Sequence, residues 1–147
     1  MKLSFMSFLF PQASASELVA MALKHGYHGV EFRAEAKHGH GVELDAPPAC
    51  IQEVRRALAD AGLSASCLAT SVRYGGLDRS AREAMSERCT RLLDLATRLG
   101  APCVRVFGDP LPPPASGRRA EAYSILAKHF YRNAQDADRA GVRLVLE

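Results

Sequence analysis

The sequence has no CxxC pair, no histidine-flanked cysteine pair and no apolar run long enough to cross a bilayer. Its four cysteines, Cys50, Cys67, Cys89 and Cys103, stand far apart. That excludes a zinc finger and supplies no disulfide framework. Cys67 and Cys103 lie within apolar runs, where a free thiol behaves as a small hydrophobe, and this usage points to a reducing, cytoplasmic setting. A spanning helix needs ~20 apolar residues, so no membrane partner is expected. Charge of one sign is scarce as well. The net charge of +3 is small and scattered, which argues against a nucleic-acid partner. Glycine is missing from MSFLFPQAS, Met6 to Ser14, where a flavodoxin-like sheet would carry its phosphate-binding turn. The start, MKLSFMSFLFPQASA, imitates a secretory signal with Ala13-Ser14-Ala15. One positive charge and two interrupting serines make a first strand followed by a capped helix the better expectation.

What is present is a repeat. At 147 residues, 48% apolar and 24% charged, residues 1–147 read as one domain. Four stretches, KHGYHGVEF, DAGLSASCL, RLGAPCVRVF and RAGVRLVLE, share one order: helix end, glycine, apolar strand. Gly26, Gly62, Gly100 and Gly141 recur at near-even intervals, and a glycine just past a helix is a left-handed stop signal. Between them lie helical faces: Ile51, Val54, Leu58 and Ala61; Met85, Cys89, Leu92 and Leu99; Ile125, Leu126, Phe130 and Ala134. Ser14-x-x-Glu17 and Ser80-x-x-Glu83 read as capping boxes, and Pro47-Pro48 suits a helix entry. The spacing predicts strands at Lys2–Phe5, Val30–Arg33, Ala65–Thr70, Cys103–Phe107 and Val142–Glu147, with four helices between them. PLPPPASG, Pro110 to Gly117, reads as a loop inside the repeat.

Strict β/α alternation means a parallel sheet. Two architectures accommodate five strands: an open, doubly wound sheet, or a partial TIM barrel of about five strands and four helices. A sheet covered by helices on both faces is apolar on both. Here Glu31 and Arg33 oppose Val30 and Phe32, Arg105 opposes Val104 and Val106, and Arg143 and Glu147 oppose Leu144 and Leu146. One charged face suits a barrel interior, where Glu31 could pair with Arg105 or Arg143.

In either fold the site lies at the carboxyl ends of the strands. Glu31, Arg33, Thr70, Ser71, Arg73, Asp109 and Glu147 gather there. KHGHGVEL adds His38, His40 and Glu43 on a loop in which a glycine separates the histidines, open to surface, substrate-binding or metal-ligating roles. Arg33 and Arg73 could grip hydroxyls, carboxylate or phosphate bidentately. Glu31 is either an ion-pair partner or a catalytic group. Asp109, in FGDP, either starts a turn or contacts a ligand. Glu147 ends an apolar strand, where a carboxylate needs a cation, and hard divalent cations take oxygen ligands.

Taken together, GYHGVEFR, HGHGVEL, LGAPCVRVFGD and AGVRLVLE resemble the sugar phosphate isomerase/epimerase group, whose xylose isomerase-like TIM barrel is shared with endonuclease IV. The resemblance runs along the whole chain but covers only the N-terminal half of that barrel. It implies that Glu147 ligates a divalent metal, Mn, Mg, Co or Zn, and serves as a catalytic acid/base. It also implies that Glu31, Arg33 and His40 approach a sugar or sugar phosphate. The expected chemistry is isomerisation or epimerisation through an enediolate. The group's other ligands come from later strands, so a truncated piece of the full enzyme, weak or inactive alone, is expected. Alternatives are an endonuclease IV-like nuclease, or an inactive half-barrel that forms a homo-oligomer through its open edge strand.

Overall fold

A computed structural model describes residues 1–75 and 78–147. Five parallel strands, β1 (Ser4–Met6), β2 (Gly29–Arg33), β3 (Ser64–Arg73), β4 (Cys103–Phe107) and β5 (Arg143–Leu146), form one sheet in the order β1-β2-β3-β4-β5. Helices α1 (Ala15–Lys24), α2 (Pro48–Asp60), α3 (Arg79–Leu99) and α4 (Arg119–Ala140) connect them in turn, with short 3-10 turns at Ser7–Leu9 and Pro114–Ser116.

Strand order decides between the two expected architectures. A doubly wound sheet reverses its winding partway across and takes helices on both faces. Here every crossover advances by one strand in the same direction, and right-handed crossovers then stack the helices on one face. The doubly wound alternative is excluded, and the chain is an α/β partial TIM barrel.

The core lies between that helical layer and the outer face of the sheet. Val30, Phe32, Leu68, Val104 and Val106 are fully buried from the strands. Leu18 and Ala22 of α1, Ile51 of α2, and Cys89, Leu92, Leu95 and Ala96 of α3 meet them from the helices, all fully buried. Each large apolar side chain so buried contributes about 1.5–3 kcal/mol. The expected face of α4 is weaker: Ile125, Leu126, Phe130 and Ala134 are only half-buried, and Asn133 and Ala137 are its buried residues. Asn133 Oδ1 accepts the Tyr74 hydroxyl at 2.7 Å, which satisfies a buried phenol.

Gly26, Gly62, Gly100 and Gly141 all have positive φ, as helix stops require. The Ser14–Glu17 capping box forms in both directions. The box expected at Ser80–Glu83 does not. Asp78 is the N-cap of α3, and its carboxylate accepts from Ala81 N and from the Ser80 hydroxyl, both at 2.8 Å.

β3 also runs three residues past its expected end, to Arg73. Ala69 pairs with Arg105 and Arg73 with Phe107, so β3 spends two more residues than β4 over that stretch. Thr70 stabilises this bulge: its hydroxyl donates to the Arg105 carbonyl at 2.7 Å and accepts from Val72 N at 3.2 Å. The bulge carries Ser71 and Arg73 onto the rim of the sheet. Among the described residues, no helix is long and apolar enough to cross a membrane.

Candidate active site

The face of the sheet turned away from the helices carries the charges. Arg105, central on β4, has two carboxylates beside it. Its Nε lies 3.4 Å from Glu31 Oε1 on β2, and Nη1 pairs with Glu147 Oε2 at the end of β5. Arg105 and Glu31 are largely shielded from water and Glu147 is open to it. Glu147 lies one residue beyond β5, yet the ladder continues through it. Its N–H donates to the Val106 carbonyl at 2.9 Å, and its carbonyl accepts from Gly108 N at 3.2 Å. The backbone therefore fixes the point from which this side chain extends.

Two more arginines flank the same rim. Arg33 Nη2 donates to the Ser71 hydroxyl at 2.5 Å, and Nη1 donates to the Ala34 carbonyl at 2.7 Å. Burial draws the Arg33 guanidinium below its ordinary pKa, opposed by Glu35 and Glu43, while the positive charges of Arg105 and Arg73 add to the lowering. Arg73 pairs with Asp109. Arg73 and Arg105 both sit over the Phe107 ring, 4.3 Å and 5.0 Å from its centroid, a cation–π contact that holds guanidinium planes in place. Glu31, Arg33, Arg73, Asp109 and Glu147 are thus brought to one rim.

His40 is not on it. The loop after β2 is a clasp. Gly39 N donates to the Pro11 carbonyl at 2.8 Å, and a Cβ at Gly39 would stand 2.4 Å from the Gln12 carbonyl oxygen. The glycine between the histidines is there for close approach, and it seats His40 in the interior with 4% of its surface exposed. Val42 N donates to His40 Nδ1 at 3.0 Å, so the ring proton sits on Nε2 and is given to the Ser7 hydroxyl at 3.1 Å. The Ser7 oxygen also accepts from Arg33 N at 2.9 Å. His40 thereby acts on Arg33 through Ser7. Glu43 faces neither histidine; its carboxylate accepts the N–H groups of Glu35, Ala36 and Lys37.

Ser7 escaped the sequence reading, and so did Glu35 and its partner Arg88. Glu35, with a side chain 3% exposed, ion-pairs with Arg88 of α3 and accepts from Ser71 N at 2.7 Å. Ser71 in turn takes the Arg33 guanidinium, so Glu35 orients a rim arginine from behind. An acid directly after the second strand, in FRAE, was the available signal, but its partners lie far off in sequence.

The family model for the xylose isomerase-like TIM barrel matches residues 19–147. The chain belongs to this family. Among curated proteins nothing matches. Solved structures similar to it include a D-psicose 3-epimerase determined in the presence of D-fructose. That structure has 15% identity and a TM-score of 0.77, covering 98% of this chain and 51% of that one. Another is a probable 3-DHS dehydratase from Bacillus anthracis, with 16% identity, a TM-score of 0.77, and coverage of 99% and 52%. A third is a xylose isomerase-like TIM barrel protein from Mycobacterium smegmatis in complex with magnesium, with 17% identity, a TM-score of 0.67, and coverage of 99% and 54%. At these identities the likeness establishes the fold. The chain spans about half the length of these structures.

Burial, with His38 adding to it, lowers the His40 pKa to about 4. The folded state holds the ring neutral while the unfolded chain protonates it near 6.5, so folding loses stability as pH falls from about 6.5 to about 4. Protonation would also place an Nδ1 proton against Val42 N. Urea midpoints measured across that range should fall with acidification, and the slope should flatten in His40→Gln. An equal slope in both proteins would show that His40 is not the group responsible.

Proposed function

We propose that the chain is the N-terminal half of a metal-dependent sugar or sugar-phosphate isomerase or epimerase, which moves a proton beside a carbonyl through an enediolate. The observation that carries this reading is the Glu147 carboxylate, which β5 delivers to the charged rim beside Arg105 and Glu31. The D-psicose 3-epimerase and the magnesium complex among the similar structures support the substrate class and the cofactor. The setting proposed is the cytoplasm, in keeping with four free cysteines.

Glu147 is proposed as the acid/base and as one ligand of a divalent metal, Mn, Mg, Co or Zn. Among the described residues, no three His, Cys, Asp or Glu side chains are grouped to hold a metal ion. These residues therefore do not make the site alone, and the remaining ligands would come from the other half of a closed barrel. The rim arginines supply the binding function. Arg33 and Arg73 would hydrogen-bond hydroxyl or phosphate oxygens of the sugar, for which planar guanidinium is suited. Asp109 would orient Arg73, Glu31 would hold Arg105, and His40 would steady Arg33 from below. In the closed barrel, Glu147→Gln should lose bound metal and about 10²–10⁴ in turnover, the range for a general acid/base. Metal content unchanged from wild type, measured by elemental analysis, would refute the assignment.

A self-associating half-barrel is the second reading, favoured by the uncovered edges. Val145 and Leu146 of β5 are exposed, and so are Leu3, Phe8 and Leu9 at the β1 end. A bare apolar parallel edge invites pairing. The 147-residue chain should run above its monomer mass in light scattering, and Val145→Lys should return it toward a monomer. A monomeric wild type would contradict this.

A further inference from the structure

The inner face of the sheet also carries two thiols that the proposed chemistry leaves unused. β3 and β4 pair at Leu68–Val104, and one residue earlier the same register sets Cys67 beside Cys103. Leu68 and Val104 are fully buried against the helices. By strand alternation the two thiols therefore point to the opposite, inner face, where both are half-buried. Neighbouring strands run about 4.8 Å apart, within the Cα separation that a disulfide bridges.

The surroundings divide the two sulfurs. The neighbouring Cys67 thiol pulls the Cys103 pKa below the ordinary thiol value; Arg143 on β5 adds to this, while burial and Glu31 on β2 oppose it. Cys103 beside it, reinforced by burial, pushes Cys67 up, with Glu31 adding to the rise and Arg105 opposing it. When protonated, Cys103 has another partner, the Ser66 carbonyl at 3.4 Å. The pair thus sets a more acidic thiol beside a less acidic one, the pattern of reactive rather than structural cysteines.

We propose that Cys103 and Cys67 form a hydroperoxide-reactive dithiol, with Cys103 as the attacking thiolate and Cys67 as the resolving thiol. With hydrogen peroxide, the Cys103 sulfur attacks one oxygen, the O–O bond breaks, and the leaving hydroxide takes a proton from solvent to depart as water. Cys103 is then a sulfenic acid, two electrons oxidised. The Cys67 sulfur attacks that sulfur, an S–S bond forms, and the sulfenic hydroxyl leaves as a second water with the Cys67 proton. One hydroperoxide is consumed per disulfide, and a small-molecule dithiol restores the pair. The bond would tie β3 to β4 beside Glu31 and Arg105.

The other two cysteines are internal controls. Cys50 is exposed near the start of α2, so accessibility alone would make it react first. Cys89 is buried, and burial raises its pKa to about 11. The test treats the reduced 147-residue chain with one equivalent of hydrogen peroxide at pH 7, then blocks free thiols and maps peptides by mass spectrometry. The expected product is an intramolecular Cys67–Cys103 link with Cys50 and Cys89 blocked. In Cys67→Ala, dimedone should instead trap a sulfenic acid on Cys103, and the pH at which Cys103 alkylation accelerates should move up toward that of an ordinary thiol. Oxidation at Cys50 first, an intermolecular disulfide, or full recovery of blocked Cys67 and Cys103 would overturn the proposal. The wild-type map decides the matter even if the variant does not fold.

Discussion

A guanidinium between two carboxylates organises the inner face of this sheet. Arg105 is mostly shielded from water, and a charge removed from water costs several kcal/mol unless it is matched. Glu31 reaches it from β2, on the far side of β3, while Glu147 reaches it from the end of β5. The match spans four of the five strands. Arg33, Arg73 and Asp109 lie around this centre, so three guanidinium groups face three carboxylates and the rim is formally balanced.

Around this centre the remaining groups are placed by backbone features rather than by loops. The Thr70-held bulge lifts Ser71 and Arg73 to the rim. Glu35, anchored by Arg88, fixes Ser71, which receives Arg33. His40 and Ser7 secure the Arg33 backbone from the other side. Charged side chains that would otherwise sample many rotamers are each tied to at least one partner, the condition for a preorganised binding surface. The sheet winds in one direction and closes at neither edge, so this surface is half of what a barrel would enclose.

Local signals made much of the fold legible. A left-handed glycine after a helix, the Ser14–Glu17 box and the period-two alternation of β2 and β4 depend on near neighbours, and each formed as the sequence implied. What escaped depended on competition or on distance. Asp78 won the cap of α3 because its carboxylate reaches both Ala81 N and the Ser80 hydroxyl, leaving Ser80 inside the helix. The bulge in β3 is a matter of its pairing with β4, which a one-strand pattern does not encode. In HGHG a glycine separates two histidines whose role the sequence left open. Gly39 lets the loop press against Gln12, and that contact buries His40. The Glu35–Arg88 pair joins distant segments and had no local signature.

Arg105 couples Glu31 to the rest of the rim. A double-mutant cycle between Glu31→Gln and Arg105→Met, followed by urea denaturation, measures that coupling. Residues in one ion-pair network couple by about 0.5–3 kcal/mol, and a favourable coupling in that range is the predicted result. Single-variant effects that add to within about 0.3 kcal/mol would contradict the account.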